Sequence, residues 1–118
     1  MDFDPDDLLS RTGGDRQLAI RVLDRFLSDI PAQLSALAKA VEGRDGGSGA
    51  EAAHAIRGAA ANVGGSTLAA LAATLERLCR AGALDAVAEL APEVTAVFAR
   101  SHAAITNFRS EHTGTLRV

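Results

Sequence analysis

The 118-residue sequence is poor in the residues on which several classes of protein depend. It contains no Trp, no Tyr and four Phe, which excludes aromatic cages and base-stacking platforms as the basis of a function. The net charge is −3, from 12 basic and 15 acidic residues, so the composition favours neither a nucleic-acid groove nor a basic membrane surface. The single cysteine, Cys79, cannot form an internal disulfide. No apolar run approaches the roughly 18 residues that span a bilayer.

The amino terminus reads MDFDPDD, which is acidic where a secretory signal peptide is basic. Together with the lone cysteine, this predicts a cytoplasmic protein. A chain of this length suits one domain. We expect a helical domain over residues 1–110 and a flexible tail over residues 111–118.

Apolar residues recur at steps of three and four over residues 15–42, as expected for one stripe of a long amphipathic helix. Asp15 follows two glycines and is a plausible N-cap. Pro31 lies inside this pattern, so we expect a kink or a short break there. The members of the stripe are Ile20, Leu23, Leu27, Ile30, Leu34, Leu37 and Val41.

Three further helices are predicted, over about 48–63, from 66 or 67 to 82, and from 84 or 85 to about 108. Pro92 could mark a restart of the last one. The glycine-rich segment 43–49, GRDGGSG, lacks the GK[ST] ending of a phosphate-binding loop and is predicted to be a connector. No segment shows sustained strand alternation. The sequence therefore predicts an all-α protein, an antiparallel four-helix bundle with a short additional N-terminal helix.

Metal and nucleophile patterns are weak. Glu51 with His54 is the one Glu-x-x-His pair, whereas a di-iron bundle needs two, and the His-Glu-x-x-His spacing of zinc proteases is absent. Cys79 lies among leucines and alanines, which favours a packing role. His102 and His112 are interpreted as ordinary histidines of the last helix and the tail. No residues of the kind that bind ATP and its magnesium are present.

His54 is the informative position. At about 100° per residue, Arg57, Gly58 and Ala61 lie within about 60° of His54 on the helix surface. An aliphatic stripe lies on the opposite side, so His54 is expected to face solvent. Taken alone, His54 could be an ordinary surface histidine. Gly58, however, costs a helix interior roughly 1 kcal/mol relative to Ala, and on an outer face no core requires it. An uncovered imidazole beside a cation suits the acceptance and return of a phosphoryl group. The stripe consists of Ala52, Ile56, Ala59 and Val63.

The segment His54-Ala55-Ile56-Arg57-Gly58, followed by five residues and Gly64, resembles the signature of histidine-containing phosphotransfer (HPt) domains, H-x-[LI]-K-G-x5-G. The resemblance covers nearly all of residues 3–108. The family usually has Lys where this chain has Arg57, which keeps the charge but replaces a compact ammonium with a planar fork. Beyond the motif, the resemblance to the family includes Phe3-Asp4, Leu8-Leu9, Gly13-Gly14-Asp15, the segment 26–31 and the pair Leu75-Glu76.

The resemblance implies a phosphorelay intermediate of bacterial-type two-component signalling. His54 would take a phosphoryl group, on Nε2, from an aspartyl phosphate of a receiver domain and pass it to another receiver domain, with Arg57 offsetting negative charge. Gly58, Ala61, Asn62 and Gly64 would form the receiver-docking surface and the helix end. The chain would need no cofactor, because magnesium would belong to the receiver, and a monomer would suffice. Acceptance should fade below about pH 6.5, where an ordinary imidazole becomes protonated.

Three alternatives stay open from the residues themselves. The chain could be a helical adaptor or dimerisation domain in which His54 has no chemical role. It could be the N-terminal histidine domain of a chemotaxis-type kinase, phosphorylated directly by an ATP-binding domain. An enzyme or metal carrier within a bundle is disfavoured by the single Glu-x-x-His pair.

Overall fold

The computed structural model of the chain describes residues 2–114, with side chains through residue 111, and all its regular secondary structure is helical. A short helix is followed by four long ones. In chain order they are α1 (Pro5–Arg11), α2 (Arg16–Glu42), α3 (Gly46–Asn62), α4 (Ser66–Arg80) and α5 (Leu84–Gly114).

The four long helices close into a ring, in which α2 and α4 each pack against both α3 and α5. Short connections make consecutive helices antiparallel neighbours. The apolar stripes of all four helices meet in one core, and the predicted bundle with its additional N-terminal helix is confirmed. Large side chains in this core with no significant exposure include Leu23, Ile30, Ile56, Leu68, Leu75 and Ile105.

The N-terminal segment is attached to the end of the bundle where α3 finishes and α5 passes. Phe3 packs edge-to-face on Phe108, with ring centroids 5.6 Å apart. The hydroxyl of Ser101, a buried residue, donates to the carbonyl oxygen of Asp2 at 2.8 Å. Asp4 caps α1 by accepting from the backbone N–H of Asp7 at 3.0 Å. The backbone N–H of Asp4 also donates to the carbonyl oxygen of Val63 at 3.4 Å, and this contact places α1 beside the end of α3.

The glycine-rich segment is only partly a connector, and the prediction of a loop over residues 43–49 was wrong. α3 begins at Gly46, because Asp45 caps it by accepting from the backbone N–H and the hydroxyl of Ser48, at 3.0 and 2.7 Å. A Cβ at Gly49 would lie 2.8 Å from the sulfur of Cys79, and one at Gly46 would collide with the Cys79 carbonyl. These glycines let the first turn of α3 approach α4 closely.

Neither proline interrupts its helix. α2 continues through Pro31, and α5 runs without a break from Leu84 past Pro92. Both rings face solvent, where water can satisfy the carbonyl that loses its donor. The backbone of α5 is helical to Gly114, so the segment expected to be a tail begins inside this helix. Residues 115–118 lie outside the described residues.

Candidate functional site

α3 presents His54 to solvent. The side chain of His54 is 62% exposed, whereas Ala53, Ile56 and Ala60 of the same helix are fully buried against the core. The predicted orientation of this helix is therefore confirmed. α3 begins at the Asp45 cap and ends at a turn at Gly64. Between these ends it packs against α2 and α4, and this packing defines the position of His54 on the bundle.

A buried glutamate lies beneath the imidazole. Glu76 stands on the core-facing side of α4, and 11% of its side chain is exposed. Its Oε1 is 3.3 Å from Nδ1 of His54. Its Oε2 accepts two hydrogen bonds from Arg80, one turn further along α4, at 2.8 Å from Nη2 and 3.3 Å from Nε. The two carboxylate oxygens are thus divided between the arginine and the histidine.

Arg57 completes the cluster from the same helix as His54. Its Nη2 is 3.0 Å from Nδ1 of His54 and 3.4 Å from Oε1 of Glu76. Both polar neighbours of the ring therefore engage Nδ1. Within the described residues Nε2 makes no hydrogen bond, so a partner protein can reach this nitrogen.

The charges around the ring favour an anion. Two arginines and one glutamate leave a net charge of +1 beside the imidazole. The hydrogen bond from Arg80 lowers the pKa of Glu76, burial opposes this effect, and the hydrogen bond to His54 and the charge of Arg57 add to the lowering. Glu76 is therefore ionised at neutral pH and can accept a hydrogen bond from Nδ1–H of His54 when that nitrogen carries the proton.

Of the residues predicted to form the docking surface, Gly58 and Ala61 lie on the same face of α3 as His54, whereas Asn62 and Gly64 lie at the end of the helix and have other surroundings. Gly58 and Ala61 are exposed on the same face as His54, and a Cβ built on Gly58 would meet no atom within 4 Å. Asn62 is also exposed, but it lines a cavity of about 220 Å³ between α2 and α3, together with Phe26 and others. The carbonyl of Ala61 accepts from Arg11 of α1 at 3.3 Å.

Gly64 ends α3 and is half-buried. Its φ of +70° is a conformation that side chains disfavour, and a Cβ there would lie 2.6 Å from Cβ of Asp4. Gly64 therefore ends the helix, as predicted, and also allows the N-terminal segment to approach. Its contacts lie with that segment rather than with the imidazole.

The remaining candidates lie apart from this cluster. Cys79 is buried, and burial raises the pKa of its thiol. His102 is exposed on α5 and packs edge-on against Phe98, with ring centroids 6.2 Å apart. The side chain of His112 is outside the described residues. Over residues 2–114, no three His, Cys, Asp or Glu side chains gather as metal ligands, and no helix is both long and apolar enough to cross a membrane.

Sequence reasoning assigned no role to Glu76 or Arg80. A signal for Glu76 was present, because it occupies the helical spacing of buried positions 72, 75 and 79, where a charged residue needs a partner. Arg80 is at the i+4 position from Glu76, where a helix brings opposite charges together. That the carboxylate meets His54 depends on how α4 packs on α3.

Comparisons with known proteins agree on one family. The profile of the Hpt domain matches residues 21–107. The chain is similar to the crystal structure of histidine-containing phosphotransfer protein B (HptB) from Pseudomonas aeruginosa PAO1, with a TM-score of 0.85 and 25% sequence identity, covering 92% of this chain and 95% of that one. No curated protein sequence matches the chain significantly.

Proposed function

Because this chain belongs to the Hpt domain family, whose members are phosphocarrier modules rather than kinases, we propose that it relays phosphoryl groups through His54. The donor is an aspartyl phosphate on one receiver domain, and the acceptor is the aspartate of another. The observation that carries this proposal is the imidazole itself, which is 62% exposed, makes no hydrogen bond at Nε2 within the described residues, and has the carboxylate of the buried Glu76 3.3 Å from Nδ1.

The step follows from this arrangement. The lone pair of Nε2 attacks the phosphorus atom as the bond from phosphorus to the aspartyl oxygen breaks, and that electron pair returns to the receiver's carboxylate. The ring keeps its proton on Nδ1 and gains positive charge as the N–P bond forms. Glu76 accepts a hydrogen bond from Nδ1–H and stabilises that charge. The reverse sequence delivers the group to the second receiver.

The arginines have different roles. Arg57, 43% exposed and beside the ring, offsets negative charge on the transferring phosphoryl group. Arg80 holds the other oxygen of Glu76 and so maintains the direction of the carboxylate. It is a positioning residue.

The docking surface is proposed along the exposed face of α3. Gly58, one turn after His54, leaves the imidazole uncovered, and Ala61 continues the same face with a small side chain. Asn62 and Gly64 extend this surface to the end of the helix. The receiver supplies the magnesium ion from its own site, and the chain acts as a monomer in the cytoplasm.

The test is transfer from a receiver domain carrying a radiolabelled aspartyl phosphate. We expect the label to move to this chain as an acid-labile, base-stable phosphohistidine, and His54→Gln to abolish the transfer. His102→Gln is the control, because His102 is an exposed histidine of another helix. Equal transfer to the His54 variant would refute the site. Label that came from ATP through a kinase domain, and never from a receiver, would identify a kinase's histidine domain instead.

A further inference from the structure

One nitrogen of the imidazole lies within hydrogen-bond reach of two groups that no single protonation state of the ring can satisfy together. Nδ1 of His54, Oε1 of Glu76 and Nη2 of Arg57 form a triangle with sides of 3.3, 3.0 and 3.4 Å. A guanidinium only donates, so its contact with Nδ1 requires a lone pair on that nitrogen. An ionised carboxylate only accepts, so its contact with Nδ1 requires a proton there.

The two requirements correspond to the two tautomers of the neutral ring. If Nδ1 accepts from Arg57, the ring proton is on Nε2, and Nε2 has no lone pair with which to attack phosphorus. If Nδ1 donates to Glu76, the lone pair is on Nε2 and the ring is nucleophilic. Whichever group binds Nδ1 therefore decides whether the exposed nitrogen can react.

We propose that Arg57 controls the tautomer of His54, by holding Nδ1 in the resting protein and releasing it to Glu76 when a phosphoryl group arrives. This inference rests on the proposed function. In the resting protein the Arg57–Nδ1 contact, at 3.0 Å, is the shorter of the two. A phosphoryl dianion attracts a guanidinium more strongly than a neutral nitrogen does, so the docked donor draws Arg57 away.

The groups around the ring suit this exchange. The side chain of Arg57 is 43% exposed, which leaves it room to turn outward. Glu76 stays in place when Arg57 leaves, because Arg80 holds its other oxygen through two hydrogen bonds. The ring, 62% exposed, exchanges its proton through water, losing one from Nε2 and gaining one at Nδ1 with no change in net charge.

The consequence is that Arg57 opposes reaction with one kind of electrophile and favours reaction with another. A neutral electrophile offers no negative charge to draw the guanidinium away, so Arg57 should slow its attack by Nε2. A phosphoryl donor offers that charge, so Arg57 should speed its transfer. A residue that served only as a fixed charge would affect the second reaction alone.

The experiment compares the wild type with Arg57→Met, which removes every donor, and with Arg77→Met as the control for loss of an exposed arginine on α4. At about pH 8.5, where an ordinary imidazole is neutral, ¹⁵N shifts of the labelled His54 ring report the tautomer. We expect the wild type to favour the Nε2–H form, Arg57→Met to shift the ring toward Nδ1–H, and Arg77→Met to match the wild type.

The reactivity test uses diethyl pyrocarbonate, a neutral acylating reagent, with peptide mass spectrometry to separate His54 from His102. Arg57→Met should raise the acylation rate of His54 roughly fivefold, the equilibrium factor for losing one ordinary hydrogen bond, and leave that of His102 unchanged. Transfer from a phosphorylated receiver should fall in the same variant. Circular dichroism checks that it folds.

Unchanged ring shifts and unchanged acylation in Arg57→Met would overturn the inference, even if the wild type carried phosphate on His54. Failure of the wild type to accept phosphate from any receiver would instead refute the proposed function, whatever the ring shifts showed.

Discussion

Substitution of Gly58 should separate the stability of α3 from access to His54. The position is exposed, and a Cβ there meets no atom within 4 Å. Glycine costs a helix interior about 1 kcal/mol relative to alanine, and no contact opposes the added methyl group. Gly58→Ala should therefore stabilise the protein by about 1 kcal/mol and raise its melting temperature by about 4 °C. Gly58→Gln should be nearly as stable, because glutamine has a helix propensity close to that of alanine.

The same position should control the rate of phosphoryl transfer. Helical side chains lean toward the N-terminus and cover the turn before their own Cα, so a glutamine at position 58 would lie over His54. A loss of about 1.4 kcal/mol in the binding free energy of the receiver lowers its affinity tenfold and slows transfer by the same factor when the receiver is dilute. We expect Gly58→Gln to lose at least about tenfold on this basis, and Gly58→Ala to lose less than about threefold.

Two measurements on the same variants test this reasoning. Thermal unfolding followed by circular dichroism gives the stability, and the time course of label transfer from a phosphorylated receiver gives the rate. Ala99→Gln is the control, because it places the same side chain at an exposed position of α5. If Gly58→Gln loses helix content together with transfer, the glycine is structural. If it transfers as fast as the wild type, a bare backbone beside His54 is not required.

Three further predictions concern the surroundings of the site. The lowered pKa of Glu76 stabilises the folded state above the ordinary glutamate value of about 4.3. That contribution is lost as the pH falls through the lower folded-state pKa. Urea unfolding should therefore show a gap in the free energy of unfolding between wild type and Glu76→Gln at pH 7 that narrows as the pH is lowered below the ordinary glutamate value; a constant gap would contradict this. Gly64→Ala should cost more than Gly82→Ala in the same assay, because both have positive φ, worth about 1–2 kcal/mol, but only position 64 also meets Asp4; equal losses would refute the contact. The buried thiol of Cys79 should react with a disulfide reagent only after urea unfolds the protein, and rapid labelling of the native protein would show that the core opens there.

Two expectations drawn from single residue types, glycine and proline, did not hold in the folded chain. A run of glycines predicted a connector over residues 43–49, yet α3 begins at Gly46, because Asp45 caps it there and because Gly46 and Gly49 leave the space that its first turn needs beside Cys79 of α4. A kink or a short break was expected at Pro31, and the break does not occur: α2 continues, since its apolar stripe is buried on both sides of the proline and packing outweighs one lost hydrogen bond. In the first case a cap and a close helix contact outweigh the low helix propensity of glycine, and in the second case packing outweighs the effect of proline.

The amino-acid sequence by itself determined the order of the helices, the Asp15 cap of α2 and the face of α3 that carries His54, Arg57, Gly58 and Ala61. These features depend on residues within one or two turns of each other, where the 3.6-residue period converts separation along the chain directly into position in space. Only the tertiary structure decided that Glu76, 22 positions after His54 and on another helix, lies under the imidazole with Arg80 behind it. Where two helices meet is determined by the fit of their whole packed surfaces, which no short segment contains.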